Sequence, residues 1–226
     1  RSHALLDIAH CLILEPAFDN INAIAARFAT PFADNAKQID LRFTATDTGL
    51  DCDVRGAGRD LSYEQRVALA DAADDDDLAR ISVAGETIAE RRKPVISMGS
   101  AKVTAPPGGF LQATAMGEQT LADLVMLHAA EARRVADLFC GVGPFALRLA
   151  QDKPVHALDT DHVALAALDQ ALRFTPNLKP LSVERRDLFD NPLMAGDLKD
   201  FDTVIFDPPR SGAEAQAEEL AESAVT

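Results

Sequence analysis

Val135-Ala136-Asp137-Leu138-Phe139-Cys140-Gly141-Val142-Gly143-Pro144 runs from a short apolar stretch through a glycine-punctuated loop toward a helical stretch, and its reading decides the fold. Residues 135–139 have the apolar character of a buried strand, and residues 144–150 carry a helical pattern. Gly141 and Gly143 allow a tight turn and close approach of a ligand to the backbone. Pro144 suits a first helical turn and would leave N–H donors aimed at that ligand. Downstream the alternation repeats: a strand at 155–158, a helix at 163–174, a strand at 181–183, a loop containing Asp187, and a strand at 203–206. Upstream, Leu121, Leu124, Val125 and His128 predict a helix with one buried face, His128 at the edge of the core. Strands separated by helices predict a doubly wound parallel sheet.

The chain has 226 residues, enough for one large domain or two small ones. With 47% apolar and 26% charged residues it is globular in composition, which excludes collagen, a disordered tail and a disulfide miniprotein. No apolar run approaches the ~20 residues of a membrane helix, and no signal-peptide pattern is present, so a cytoplasmic protein with no membrane partner is expected. Cys11, Cys52 and Cys140 are too few and too scattered for a disulfide framework. A net charge of −14 argues against nucleic-acid binding by bulk electrostatics. The chain begins at Arg1 and ends at Thr226 without a terminating signal, and it reads as a piece of a longer protein.

Residues 1–110 read as a small α+β domain and residues 111–226 as the sheet domain. Pro16 is expected to open a helix with Phe18, Ile21, Ile24, Ala25 and Phe28 at helical spacing. Ile39, Leu41 and Phe43, then Leu50, Cys52 and Val54, alternate around Asp47-Thr48-Gly49 and predict a hairpin. Ser62 and Gln65 match a capping box. Asp74 to Asp77 reads as a solvated loop or helix end, because calcium-loop spacing is missing. Short strands are expected near 81–83, 95–98 and 102–104.

In doubly wound sheets, ligands sit beyond the carboxyl ends of the strands. The candidate site is therefore Gly141, Gly143 and Pro144, then Asp159, Asp187 and Asp207-Pro208-Pro209-Arg210. Asp159 is placed to take both hydroxyls of a ribose. Gly141-x-Gly143-x-x-Ala146 also fits the loose dinucleotide fingerprint, which keeps an NAD-linked oxidoreductase open. Two features favour S-adenosylmethionine (SAM). Asp137 lies within its strand, two residues before the end, a placement typical of SAM sites. The acid-Pro-Pro sequence stiffens the backbone where a substrate would meet the cofactor.

Phe110-Leu111-Gln112, Asp137 to Gly143, and Phe206-Asp207-Pro208-Pro209-Arg210-Ser211-Gly212, in that order, resemble the class I RNA methyltransferases that act on carbon 5 of uridine, the TrmA/RlmD type. Asp7-Ile8-Ala9-His10-Cys11 resembles the segment entering that family's central domain, so the resemblance covers nearly the whole chain. It implies an α/β, Rossmann-like SAM-dependent methyltransferase fold, here its first four strands, preceded by a small α+β domain. It also implies that Gln112, Phe139, Asp159, Asp187 and Asp207 line the cofactor pocket: Asp159 at the ribose, Asp187 at the adenine edge, Gln112 and Asp207 at the methionine end. Pro144 stands where many relatives have Asn. Many relatives bind an iron–sulfur cluster through four cysteines, of which Cys11 matches the fourth; a lone cysteine cannot hold a cluster.

The implied partner is ribosomal or transfer RNA, methylated by a monomeric enzyme. In the family, a cysteine thiolate adds to carbon 6 of a flipped-out uridine, carbon 5 takes the methyl, and a base removes the carbon 5 proton. No cysteine follows Asp207 here, and Cys140, under the glycine loop, reads as packing. The expectation is a fragment without the family's N-terminal barrel or C-terminal catalytic segment, inactive by itself, with strand 203–206 an open edge. Methylation of a base amine, usually served by an Asn-Pro-Pro-Tyr strand end, is the second reading. Arg91-Arg92-Lys93 and Arg210 are candidates for phosphate contact, a solvated face being the simpler reading of the triplet.

Overall fold

The computed structural model describes residues 11–34 and 38–225. These divide between two compact units, the first ending at Val95 and the second starting at Ile96. The sequence boundary at 110/111 falls later. The difference is the hairpin β5 (Val95–Met98) and β6 (Ala101–Thr104), whose Met98, Ala101 and Val103 share a core with Leu147, Leu165 and Leu168 of the second unit.

In the first unit, β1 (Asp40–Thr46), β2 (Gly49–Arg55), β3 (Arg80–Val83) and β4 (Glu86–Glu90) form one sheet in that order. β1–β2 is the expected hairpin, with Phe43 opposite Cys52. Helices α1 (Ile21–Ala29) and α2 (Tyr63–Asp75) cover one face, burying Phe28, Cys52, Val54, Leu69, Ile81 and Val83. Pro16 opens a 3₁₀ turn over Pro16–Phe18, not the long helix expected; the chain breaks at Asn20 (φ −107°, ψ 19°) and α1 starts afresh. The Ser62–Gln65 box caps α2 in both directions. The opposite sheet face is polar yet buried: Arg80 grips Asp51 through two hydrogen bonds of 2.7 and 2.8 Å. Strand β4 has no counterpart in the sequence reading, because its turn is Ala84-Gly85 with Ala84 at φ 49°, a left-handed position that alanine does not advertise. The acidic run ends α2. Asp76 pairs with Arg27, and Asp77 pairs with both Arg91 and Arg92, so those two arginines are engaged by acids.

In the second unit, β7 (Val135–Leu138), β8 (Val155–Asp159), β9 (Leu181–Arg185) and β10 (Thr203–Phe206) form a parallel sheet in the order β10-β7-β8-β9. The connections carry α4 (Ala146–Leu149), α5 (His162–Phe174) and α6 (Ala195–Leu198), and α7 (Glu214–Glu222) follows β10. The chain moves outward from β7 through β8 to β9 and then returns to the other side of β7, which creates the switch point beside that strand. Val135, Val155 and Ala157 face one core with α5; Ala136, Leu138 and Leu158 face another with Leu188, Leu193 and Leu198. Helix α3 (Ala115–His128) turns a different face inward than expected. Ala122, Val125, Met126 and Ala129 meet the core, whereas Leu121, Leu124 and His128 are exposed. The small Ala122 and Ala129 let the helix sit close, and the leucine stripe lies off that line. Among the described residues no helix is long and apolar enough to cross a membrane.

Candidate cofactor site

The carboxyl ends of the parallel strands point the same way, so the segments that follow them converge. β7 stops at Leu138. Phe139 takes a left-handed conformation (φ 61°), and the Cys140 N–H continues the β8 ladder by donating to Leu158 O. The two glycines serve different ends. A Cβ on Gly143 (φ 86°) would lie 2.6 Å from Leu168 Cδ1, so this glycine exists for contact with α5. A Cβ on Gly141 (φ 53°) would meet nothing within 4 Å, which leaves the loop surface open to a ligand.

Strand β8 ends in Asp159, whose Oδ2 accepts the Gly141 N–H at 2.8 Å and whose Oδ1 accepts the Asp161 N–H at 2.9 Å. Asp161 in turn caps α5 through Val163 and Ala164. In the loop after β9, Asp187 Oδ1 accepts the Phe189 N–H at 3.0 Å. Phe189, 41% exposed, stands edge-on to Phe139 with ring centroids 5.5 Å apart. Phe139 also lies 6.0 Å from Phe206 at the end of β10. Asp207 follows β10 and is exposed, as are Asp187 and Arg210.

Asp137 lies below this loop, 1% exposed, on the face shared with Val135 and Ala157. The Ala146 N–H donates to its carboxylate, while Oδ2 has no partner among the described residues. Burial, then the neighbouring charges of Asp207 and Asp159, push its carboxyl up to about 7. Burial and the Asp137 and Asp159 charges likewise raise the Cys140 thiol well above its ordinary value, which makes it a poor nucleophile.

Asp159 and Asp207 thus lie close enough to act on Asp137, and Asp159 holds Gly141; Phe139 packs with Phe206 and Phe189 on the Leu138 side of the sheet, with Asp187 beside Phe189. Phe189 escaped the sequence reading; its signal was an aromatic residue two places after a strand-end acid. Gln112 lies in the loop before α3, and among the described residues no hydrogen bond links it to this group. The regular helix α4 begins at Ala146, but the Leu147 N–H donates to Gly143 O, so Pro144 opens the turn that leads into it; of the first-turn donors expected to face a ligand, the Ala146 N–H is spent on Asp137. Of the segment 7–11 only Cys11 is described; it is half-exposed, while Cys52 and Cys140 are buried in separate cores. Among the described residues no group of three or more histidine, cysteine or acidic side chains is placed to hold a metal. A shallow hollow of about 570 Å³, lined by Arg133, Lys153 and Pro154 among others, lies at the opposite ends of β7 and β8 and contains none of the site residues.

Residues 102–226 match the family model of the methyltransferase small domain. An uncharacterized RNA methyltransferase of Brucella suis is 48% identical over 229 residues, covering all of this chain and 54% of the relative. The 23S rRNA (uracil(1939)-C(5))-methyltransferase RlmD of Tolumonas auensis is 26% identical, across 99% of this chain and 52% of that protein. This chain spans about half the length of the curated relatives it matches. Among solved structures, the tRNA (uracil-54, C5)-methyltransferase of Pyrococcus abyssi, in complex with S-adenosyl-L-homocysteine, superposes with a TM-score of 0.70 at 17% identity, over 97% of this chain and 57% of that one. The parallel sheet accords with the fold of the solved structure, and with the family model covering more than half of its residues the chain belongs to the methyltransferase small domain family.

Proposed function

We propose that this chain carries the SAM pocket of an RNA methyltransferase that acts on carbon 5 of a uridine in ribosomal or transfer RNA. The Gly141–Asp159 hydrogen bond carries the reading: it ties the loop after β7 to the strand-end acid after β8 at the point where strand order reverses. The open surface at Gly141 and the partnerless Asp137 Oδ2 suit a ligand with hydroxyls, an amine and positive charge. When bound, the cofactor supplies a methyl group on a cationic sulfur.

Each oxygen of Asp159 already accepts one backbone N–H and retains a lone pair for a ribose hydroxyl. Asp187 is assigned to the adenine edge, with Phe139 and Phe189 as apolar surface beside it. Gln112 and Asp207 are assigned to the methionine end, where Pro208 and Pro209 hold the backbone stiff. The buried Cys140 thiol is unsuited to attack on carbon 6, and this reading assigns that attack to another cysteine of the protein. The Asp207-Pro208-Pro209-Arg210 strand end and the activity named for RlmD support uridine over a base amine.

Equilibrium binding of SAM and NAD to this chain tests the pocket. SAM bound with at least tenfold preference is expected; preference for NAD overturns the reading. For the base, the full-length protein is incubated with SAM and RNA tritiated at uridine carbon 5. Methylation there releases tritium to water, and methyl incorporation without tritium release overturns the uridine assignment.

A further inference from the structure

We propose that Asp137 is the residue by which this pocket distinguishes the positively charged methyl donor from its neutral product, by yielding its proton when the cation binds and regaining one when the charge is gone. The inference rests on the reading of the pocket as a SAM site.

Asp137 stands on the central strand, in register with Ile205 of β10 and Ala157 of β8, and is 1% exposed. One backbone donor, Ala146 N–H, reaches its carboxylate, and among the described residues Oδ2 has no partner. A buried carboxylate with an empty oxygen is costly unless it is neutral or meets a cation. The charged groups facing it are both negative: Asp159 from β8 and Asp207 from β10. The loop contributes the neutral Cys140 thiol. The cation on α4, Arg148, is turned to Glu118 at 2.7 Å and to Pro144 O. In the free pocket, ionising Asp137 would therefore set a third negative charge beside two others, and its carboxyl is held up to about 7.

SAM carries an ammonium, a carboxylate and a sulfonium, for a net charge of +1; the product lacks the sulfonium charge. In the transfer the carbon–sulfur bond breaks, its electron pair stays on sulfur as a neutral thioether, and the methyl carbon bonds to the acceptor carbon through the acceptor's electron pair. The acceptor's own proton goes to the enzyme's base. Asp137, now beside a ligand whose net charge has fallen from +1 to zero, takes a proton from solvent. Below pH ~7 the donor must displace that proton to bind, so its affinity falls by up to tenfold per pH unit, while the product's changes little. A carboxyl serving only to tie β7 to α4 would treat the two ligands alike.

The test is calorimetric titration of this chain with SAM and with S-adenosylhomocysteine at pH 6, 7 and 8, each in two buffers of different ionisation enthalpy. Near pH 7 SAM is expected to release more protons than the product does, and the preference for SAM over product should grow at least fivefold from pH 6 to pH 8. Asp137→Asn should flatten that growth. Equal proton release by the two ligands, or an unchanged pH dependence in the variant, overturns the proposal. Should the variant fail to fold, the carboxyl of Asp137 is followed by carbon-13 NMR in the wild-type chain: titration at least one pH unit lower with SAM than with product supports the proposal, and coincident titrations overturn it. Binding of neither ligand instead overturns the reading of the pocket on which the inference depends.

Discussion

Gly141 N–H and Asp159 Oδ2 meet at 2.8 Å, so the loop after β7 is fastened to the end of β8 by a charge-assisted bond between segments 18 residues apart. The same carboxylate holds Asp161, the cap of α5. One half-buried side chain therefore sets both the loop and the helix start. Asp159→Ala should lower stability by about 1–2 kcal/mol, the solvent-discounted worth of its two bonds, and weaken SAM binding more than tenfold, as urea unfolding and equilibrium binding will show.

Gly143→Ala and Gly141→Ala should behave differently although both glycines have positive φ. At 143 the new methyl adds a 2.6 Å clash with Leu168 to the left-handed strain, and a loss of about 2–4 kcal/mol is expected. At 141 only the strain of about 1–2 kcal/mol applies, and the fold should survive. The 141 variant should instead lose SAM affinity. Thermal melts with and without SAM separate the two.

The proton on Asp137 gives stability an unusual pH slope. Its folded carboxyl titrates at about 7, above the unfolded value of 3.8, so the native state holds the extra proton between those limits. Stability contributed by this group is full below pH ~4 and lost as pH rises toward 7, by roughly 2–4 kcal/mol. Urea unfolding of the second unit at pH 5 and pH 8 should show that loss, and Asp137→Asn should remove most of it.

Ala84, at φ 49° in the turn joining β3 and β4, is a site for stabilisation. Ala84→Gly should raise the stability of the first unit by about 0.5–1 kcal/mol, since glycine adopts this conformation without a Cβ clash. A midpoint shift in urea at unchanged slope is the expected readout; a loss would show that the Ala84 methyl on the core matters more.

The features legible in the sequence were those governed by local chemistry. Ser62 and Gln65 announce their cap, Asp47-Thr48-Gly49 its hairpin, and β7, β8, β9 and β10 their apolar runs. What escaped depended on partners distant in sequence. The inward face of α3 follows from the room left by Ala122 and Ala129, not from its leucines. β4 was hidden behind an alanine in a glycine's conformation. At the site, spacing marked the strand-end acids, but the burial of Asp137, the diversion of the Ala146 N–H to it, and the approach of Phe189 to Phe139 emerge only once three strands lie side by side.

The order β10-β7-β8-β9 also bears on the sequence of events by which the pocket comes to exist. Val135 pairs with Val155, 20 residues ahead, but with Thr203, 68 residues ahead. Closing the longer loop costs more entropy, and parallel pairs at large separation form late. β7 and β8, with the Gly141–Asp159 bond, can assemble before β10 arrives, whereas Asp207 is delivered only by that last strand. Cofactor affinity is thus a reporter of completed folding: during refolding, protection of β7 and β8 amides should precede the appearance of SAM binding, and the interval should lengthen in variants that weaken β10.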